Sequence, residues 1–157
     1  MIVIRKPTIK DTPTMYKLIN MYADEGRLLH RSITSIYEYL QCFYIAEHDN
    51  EIIGTASLHI LDQELAEIRS LTVSPDYVGK GIGKMLVNKI KEETETLGIK
   101  TLLSLTYQVQ FFLRCGFELI DKEELPMQKV WKDCMNCPKF TNCDENAMVI
   151  HFEQPTE

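Results

Sequence analysis

Residues 64–86 read ELAEIRSLTVSPDYVGKGIGKML, and the folding of this stretch decides the rest of the chain. The first ten residues, ELAEIRSLTV, read as a strand, and Pro75 ends it. Gly79, Gly81 and Gly83 then alternate with other residues, with Lys80 and Lys84 among them. From Ile82 the apolar residues Ile82, Met85, Leu86, Ile90 and Leu97 follow a helical stripe, and Gly98 stands where a C-terminal cap belongs. A strand that runs through a glycine turn into a helix presents unpaired amides and the positive end of a helix dipole, an arrangement that holds phosphate. Two familiar phosphate loops do not fit. Gly79-x-Gly81-x-Gly83 is not G-x-G-x-x-G, no acidic residue follows about 20 positions on to hold a ribose, and Gly83-Lys84 precedes Met85 rather than Ser or Thr. A turn used only for its geometry is the alternative.

Outward from this stretch, strands and helices alternate without repeats, low complexity or a linker. IVIRKP (2–7) reads as an edge strand stopped by Pro7. Met15, Leu18, Ile19 and Tyr22 give residues 11–24 a helical period, and Ser35-x-x-Glu38 is a capping box expected to open a second, short helix. CFYIAEH (42–48), the polar turn Asp49-Asn50 and EIIGTASLHIL (51–61) form a hairpin, with 64–73 as the third strand of the meander. TLLSLT (101–106) is a short buried strand, VQFFLRC (109–115) a helix closed by Gly116, and FELI (117–120) and AMVIHF (147–152) two further strands. His48 and His59 read as ordinary strand residues.

The chain of 157 residues, 45% of them hydrophobic, has the size of one domain with a full core, spanning 1–157. Seventeen basic against twenty-three acidic residues give a net charge of −6, which works against nucleic acid or an anionic membrane as partner. No apolar stretch approaches the ~18 residues that span a bilayer, and MIVIRKPT lacks the layout of a secretory signal, so a cytoplasmic protein is expected. Five cysteines, three of them in the last quarter, do not suit a secreted disulfide framework.

The stretch AEIRSLTVSPDYVGKGIGKMLV, with a meander before it and FFLRCGF after a short strand behind it, resembles the GNAT superfamily of acetyl-CoA-dependent N-acetyltransferases over nearly the whole chain. That resemblance implies an α/β (α+β) fold with a mixed, mostly antiparallel central sheet of six to seven strands, flanked by about four helices. In the family pattern Gln/Arg-x-x-Gly-x-Gly/Ala, Gly81 and Gly83 fill the glycine places and Val78 stands where Gln or Arg belongs. The implied cofactor-binding residues are Gly79, Lys80, Gly81, Ile82, Gly83 and Lys84, whose amides would take the pyrophosphate of acetyl-CoA. Leu71, Thr72 and Val73 join them, on a fourth strand that in this family separates from the fifth and pairs with pantetheine. An N–H near Leu71 would stabilise the oxyanion. Glu67 matches the strand position of a general-base glutamate, the alternative being a surface pair with Arg69. Phe112 occupies the place where many members carry an acidic tyrosine, so Tyr107 is the replacement candidate for the general acid.

GRLLHRSITSIYEYL (26–40), EIRSL, LTYQVQFFLRCGF and ELPMQKVWKDC resemble, more narrowly, the acetyltransferase part of bacterial N-acetylglutamate synthases, which open arginine biosynthesis. His30 and Tyr107 depart from that pattern, and the amino-acid kinase domain of longer synthases has no counterpart in these residues. The resemblance implies transfer to the α-amine of a small amino acid, with L-glutamate favoured and Arg27, Arg31, Arg69 and Lys129 as substrate-binding cations, against the alternative of a solvated basic edge. Another small amine, a protein N-terminus or a silent acyl-CoA sensor are the other readings, and a homodimer is compatible with all. DCMNCPKFTNCDE (133–145) carries Cys134, Cys137 and Cys143 at a knuckle-like spacing, with a fourth ligand to be found among Asp144, His151 or Cys115; reduced thiols are the expected reading, with no metal, against the alternative of structural zinc or an Fe–S centre.

Overall fold

A computed structural model describes residues 1–125 and 145–153. Seven strands form one sheet: β1 (Val3–Arg5), β2 (Phe43–His48), β3 (Glu51–Ile60), β4 (Leu65–Val73), β5 (Thr101–Thr106), β6 (Glu118–Ile120) and β7 (Asn146–His151), in the order β1-β2-β3-β4-β5-β7-β6. The β1/β2, β2/β3, β5/β7 and β6/β7 pairs are antiparallel, and β4 pairs with β5 in parallel from Leu65↔Thr101 to Glu67↔Leu103. The helices are α1 (Thr12–Asp24), α2 (Ile33–Glu38), α3 (Ile82–Thr96) and α4 (Val109–Arg114). This is the expected mixed sheet with four helices. None of the described helices is long and apolar enough to cross a membrane.

By its contacts the chain divides into two compact units, Met1–Leu58 with Ile68–Glu93, and His59–Glu67 with Thr94–Glu157. In the first unit, Met15, Leu18 and Ile19 of α1 pack with Ile36, Phe43, Ile45 and Ile52. Each such side chain contributes about 1.5–3 kcal/mol when fully buried. The Asp11 carboxylate, just ahead of α1, accepts the Thr8 N–H and the Arg5 guanidinium, which also bonds Glu47. Arg5 thereby holds the Asp11 carboxyl below the usual carboxylate range.

The β2–β3 hairpin turns on Asp49 and Asn50, both at positive φ (49° and 64°), the conformation a tight two-residue hairpin turn requires. The start of α2 corrects the expected capping box. Ser32 is the cap, its hydroxyl accepting the Ser35 N–H at 3.0 Å, so Ser35 lies inside the helix. In α3 the buried stripe is Ile82, Leu86, Val87 and Ile90, while Met85 and Leu97 are exposed. The helix turns 100° per residue, so Met85 lies off the line through 82, 86 and 90, and Leu97 follows the end of the helix at Thr96. A Cβ at Gly54 on β3 would lie 2.9 Å from the Thr72 carbonyl and 3.0 Å from Leu86 of α3. Only glycine permits that approach.

In the second unit Leu61, Leu65, Leu103, Ala147 and Val149 form the core, with Leu105, Ile120 and Leu125 against them. The Leu61 N–H bonds the Leu65 carbonyl where β3 turns into β4. α4 ends at Gly116 (φ 92°), and Phe112 stacks edge-on against Phe111 and Phe117 at centroid distances of 5.1 and 5.0 Å.

Candidate active site

The first unit holds the glycine turn and the second half of β4. After Pro75–Tyr77 the chain passes Gly79 and Gly81 at φ 87° and 80°, then enters α3 at Ile82. The first amides of a helix have no acceptor within it, and here they follow directly on the turn. An added Cβ at Gly79 or Gly81 would meet nothing within 4 Å, so both face open space and the backbone there is bare. Gly83, in contrast, is not at positive φ and serves as part of the first helical turn. Lys80 lies over the Tyr77 ring at 5.1 Å, Lys84 is exposed, and so is Val78.

β4 departs from regular geometry at one residue. Ser70 sits at φ 53°, inside a strand. Its carbonyl accepts the Thr55 hydroxyl at 2.8 Å, and Thr55 Oγ1 shares a second hydrogen bond, 2.7 Å, with Thr72 Oγ1. Three residues on, the Val73 carbonyl accepts the Tyr22 hydroxyl from α1. Leu71 to Val73 are thus held between two carbonyls that take side-chain hydroxyl donors. Burial pushes the Tyr22 hydroxyl pKa up, against a smaller lowering by Arg27.

Arg31 lies beside this step. Asn20 fixes its backbone from both sides, accepting its N–H at 3.0 Å and donating to its carbonyl at 2.8 Å. The guanidinium is half-buried between the rings of Phe43 (5.0 Å) and Tyr39 (5.5 Å). Nε donates to Ser35 Oγ at 3.3 Å, and Nη1 donates to Ser70 Oγ at 3.0 Å and Ser57 Oγ at 3.4 Å. Among the described residues no carboxylate pairs with Arg31, and Nη2 has no partner while remaining open to solvent. Desolvation, then the charge of Arg69, lowers the Arg31 pKa. Two of the expected cations, Arg31 and Arg69, therefore come together. Arg27 is engaged elsewhere, 4.7 Å over the Tyr22 ring and 3.4 Å from the Glu25 carboxylate.

The second unit carries Glu67 and Tyr107. Glu67 is 3% exposed and sits opposite Leu103 in the β4/β5 ladder. β4 passes from one unit to the other after this residue, so Glu67 precedes Arg69 and Ser70 by only two and three positions. Tyr107, partly buried, lies two residues before α4, where Gln108 takes a 2.8 Å bond from its N–H to Thr106 Oγ1. Phe112 is buried and apolar in its surroundings. Lys129 and the segment 133–143, with Cys134, Cys137 and Cys143, lie outside the described residues, as does Asp144. Ser70, Thr55 and Ser57 carry no mark in the sequence, and Tyr22 reads there only as part of an apolar helical stripe, because a hydroxyl on a strand or helix carries no sign of what it will bond.

Residues 12–117 match the model of the acetyltransferase (GNAT) family. Among curated proteins the chain is 38% identical over 146 residues to an uncharacterized N-acetyltransferase of Chlorobaculum tepidum, covering 93% of this chain and 94% of that one. It is 33% identical over 122 residues to the amino-acid acetyltransferase of Mycobacterium tuberculosis, covering 76% and 70% of the two chains. Among solved structures it superposes on N-acetylglutamate synthase of Neisseria gonorrhoeae, complexed with coenzyme A and N-acetyl-glutamate. That superposition scores 0.85 at 26% identity, covering 98% of this chain but only 36% of the larger synthase chain.

Proposed function

The chain belongs to the acetyltransferase (GNAT) family, and from that premise we propose that it transfers the acetyl group of acetyl-CoA to the α-amine of L-glutamate. The observation that carries the acceptor is Arg31. The half-buried Arg31 guanidinium, with Arg69 nearby, has no carboxylate partner among the described residues, and a substrate carboxylate is a group that neutralises it. The names of the Mycobacterium and Neisseria proteins support the same reading, which would place the product in arginine biosynthesis.

The bare backbone at Gly79 and Gly81, followed at once by the first turn of α3, suits a pyrophosphate, so acetyl-CoA fits the residues present. Acetyl-CoA supplies an acyl carbon already activated as a thioester. The amides of Gly79 to Lys84 hold its diphosphate, and Leu71 to Val73 offer backbone to pantetheine. The Leu71 N–H stabilises the negative charge that develops on the carbonyl oxygen. Glu67 takes a proton from the ammonium, directly or through water, because only the neutral amine has a lone pair for attack. The C–N bond forms as the C–S bond breaks; Tyr107 donates a proton to the departing thiolate, and the second proton released by the acylated nitrogen restores the tyrosine through solvent.

The test is thiol release from acetyl-CoA across a panel of amino acids, polyamines and peptide N-termini. Glutamate is expected to turn over best. Glutamine lacks the second charge and aspartate places it one methylene short, so both should be poorer. Faster turnover of lysine, polyamines or neutral amines would remove the glutamate reading and leave the N-acetyltransferase.

A further inference from the structure

We infer that Ser70 is a positioning residue for both substrates: its hydroxyl aims Arg31, and its carbonyl, held by Thr55, fixes the left-handed step in β4 that orients the Leu71–Val73 backbone. The acceptor half of this inference rests on the reading of Arg31 given above, and the donor half does not.

The geometry behind it is specific. Arg31 has five N–H donors, and three serine hydroxyls accept from two of its nitrogens, Ser35 from Nε and Ser57 and Ser70 from Nη1. The shortest of these bonds, at 3.0 Å, goes to Ser70. Hydroxyls are neutral acceptors, so they fix the direction of the guanidinium without cancelling its charge, which a carboxylate in the same place would do. The Nη2 hydrogens, flanked by these two engaged nitrogens, have no acceptor among the described residues and are available to a ligand. The same residue sits at φ 53°, a conformation that serine rarely adopts inside a strand and that persists only where its surroundings over-determine it. Thr55 supplies that support through the Ser70 carbonyl, and its bond to Thr72 carries the constraint two residues further along β4. One residue therefore sets the aim of the cation and the twist of the backbone together.

Two variants separate these roles. Ser70→Gly keeps the left-handed backbone, which glycine adopts without a Cβ penalty, and deletes only the hydroxyl. Its KM for glutamate should rise about tenfold, with kcat and the Kd of acetyl-CoA measured alone by calorimetry changed by less than about twofold. Thr55→Val preserves side-chain shape and removes the donor to the Ser70 carbonyl. The Kd of acetyl-CoA should weaken by about fivefold or more, while near-native circular dichroism and a cooperative melt show that the fold persists. An unmoved glutamate KM in Ser70→Gly, or an unmoved acetyl-CoA Kd in Thr55→Val, overturns the inference. If the wild-type protein acetylates no amino acid at all, the acceptor reading fails and takes the Arg31 half with it. Wild-type turnover of glutamate with an unchanged Ser70→Gly constant sinks the inference alone.

Discussion

Two places in the first unit put residues other than glycine at positive φ: the hairpin turn at Asp49 and Asn50, and the single step at Ser70 in β4. At the turn the conformation is local in origin. Asp and Asn tolerate it better than other side chains, and a tight hairpin asks for it at both positions. At Ser70 neither condition holds, and a left-handed residue there costs of the order of 1–3 kcal/mol. What sustains it comes from residues distant in sequence, Thr55 and Arg31, each of which also serves another group. The difference teaches where strain carries function: the turn could change and the protein would lose stability alone, whereas a change along β4 should alter kinetics.

The largest effect is expected at Glu67, three residues ahead of the step. Glu67→Gln should lower kcat about 10²–10⁴-fold while the KM for acetyl-CoA stays close to native. The deficit should shrink as pH rises and the amine loses its proton unaided, and a deficit constant with pH would assign Glu67 a structural role. Next comes Arg31→Ala, which should cost of the order of 2–5 kcal/mol in kcat/KM for glutamate and leave acetyl-CoA binding alone. Equal losses with glutamate and with an uncharged amine would detach Arg31 from the carboxylate.

Gly81→Val tests the other glycine-dependent conformation. Space is not the obstacle, since nothing lies within 4 Å of the added Cβ, but φ 80° is. Relaxing that strain should pull the turn open and weaken acetyl-CoA binding about tenfold, as calorimetry would show. The smallest change belongs to the hairpin. Asn50→Val should destabilise by about 1–2 kcal/mol and lower Tm by roughly 3–6 °C, with kcat and both KM values unmoved. A kinetic defect there as large as at Arg31 would erase the contrast between turn and step.

Much of the fold is legible in the residue pattern because period and punctuation agree. A strand-like run from 64 to 73, a proline, glycines, and then helical spacing give β4, the turn and α3 in order, and Asp49-Asn50 marks its own hairpin. Helix edges are less legible. Ser35-x-x-Glu38 has the spacing of a capping box, yet the extended backbone at Ser32 (φ −73°, ψ 159°) makes Ser32 the cap. The cations of the candidate site were legible as residue types but not as environments. Arg31 and Arg27 lie four positions apart, yet one is half-buried among hydroxyls and rings while the other lies exposed on the Tyr22 ring. The step at Ser70 left no trace, because Ser-Leu-Thr-Val is good strand sequence and the residue that stabilises its conformation is fifteen positions away.

Gly54 gives the last consequence, for mutational tolerance. In a library selected for activity, the turn glycines at 79 and 81 should yield some Asn and Asp survivors, since these adopt the left-handed backbone and the space beside them is empty. Position 54 should return glycine alone, although it would touch no ligand. Any side chain there presses on the Thr72 carbonyl and on Leu86 together, and Ile82 stands 3.4 Å away, so β4 and the start of α3 would be wedged off β3 in one movement. A ranking of positions by proximity to substrate would therefore miss one of the least replaceable residues in the chain.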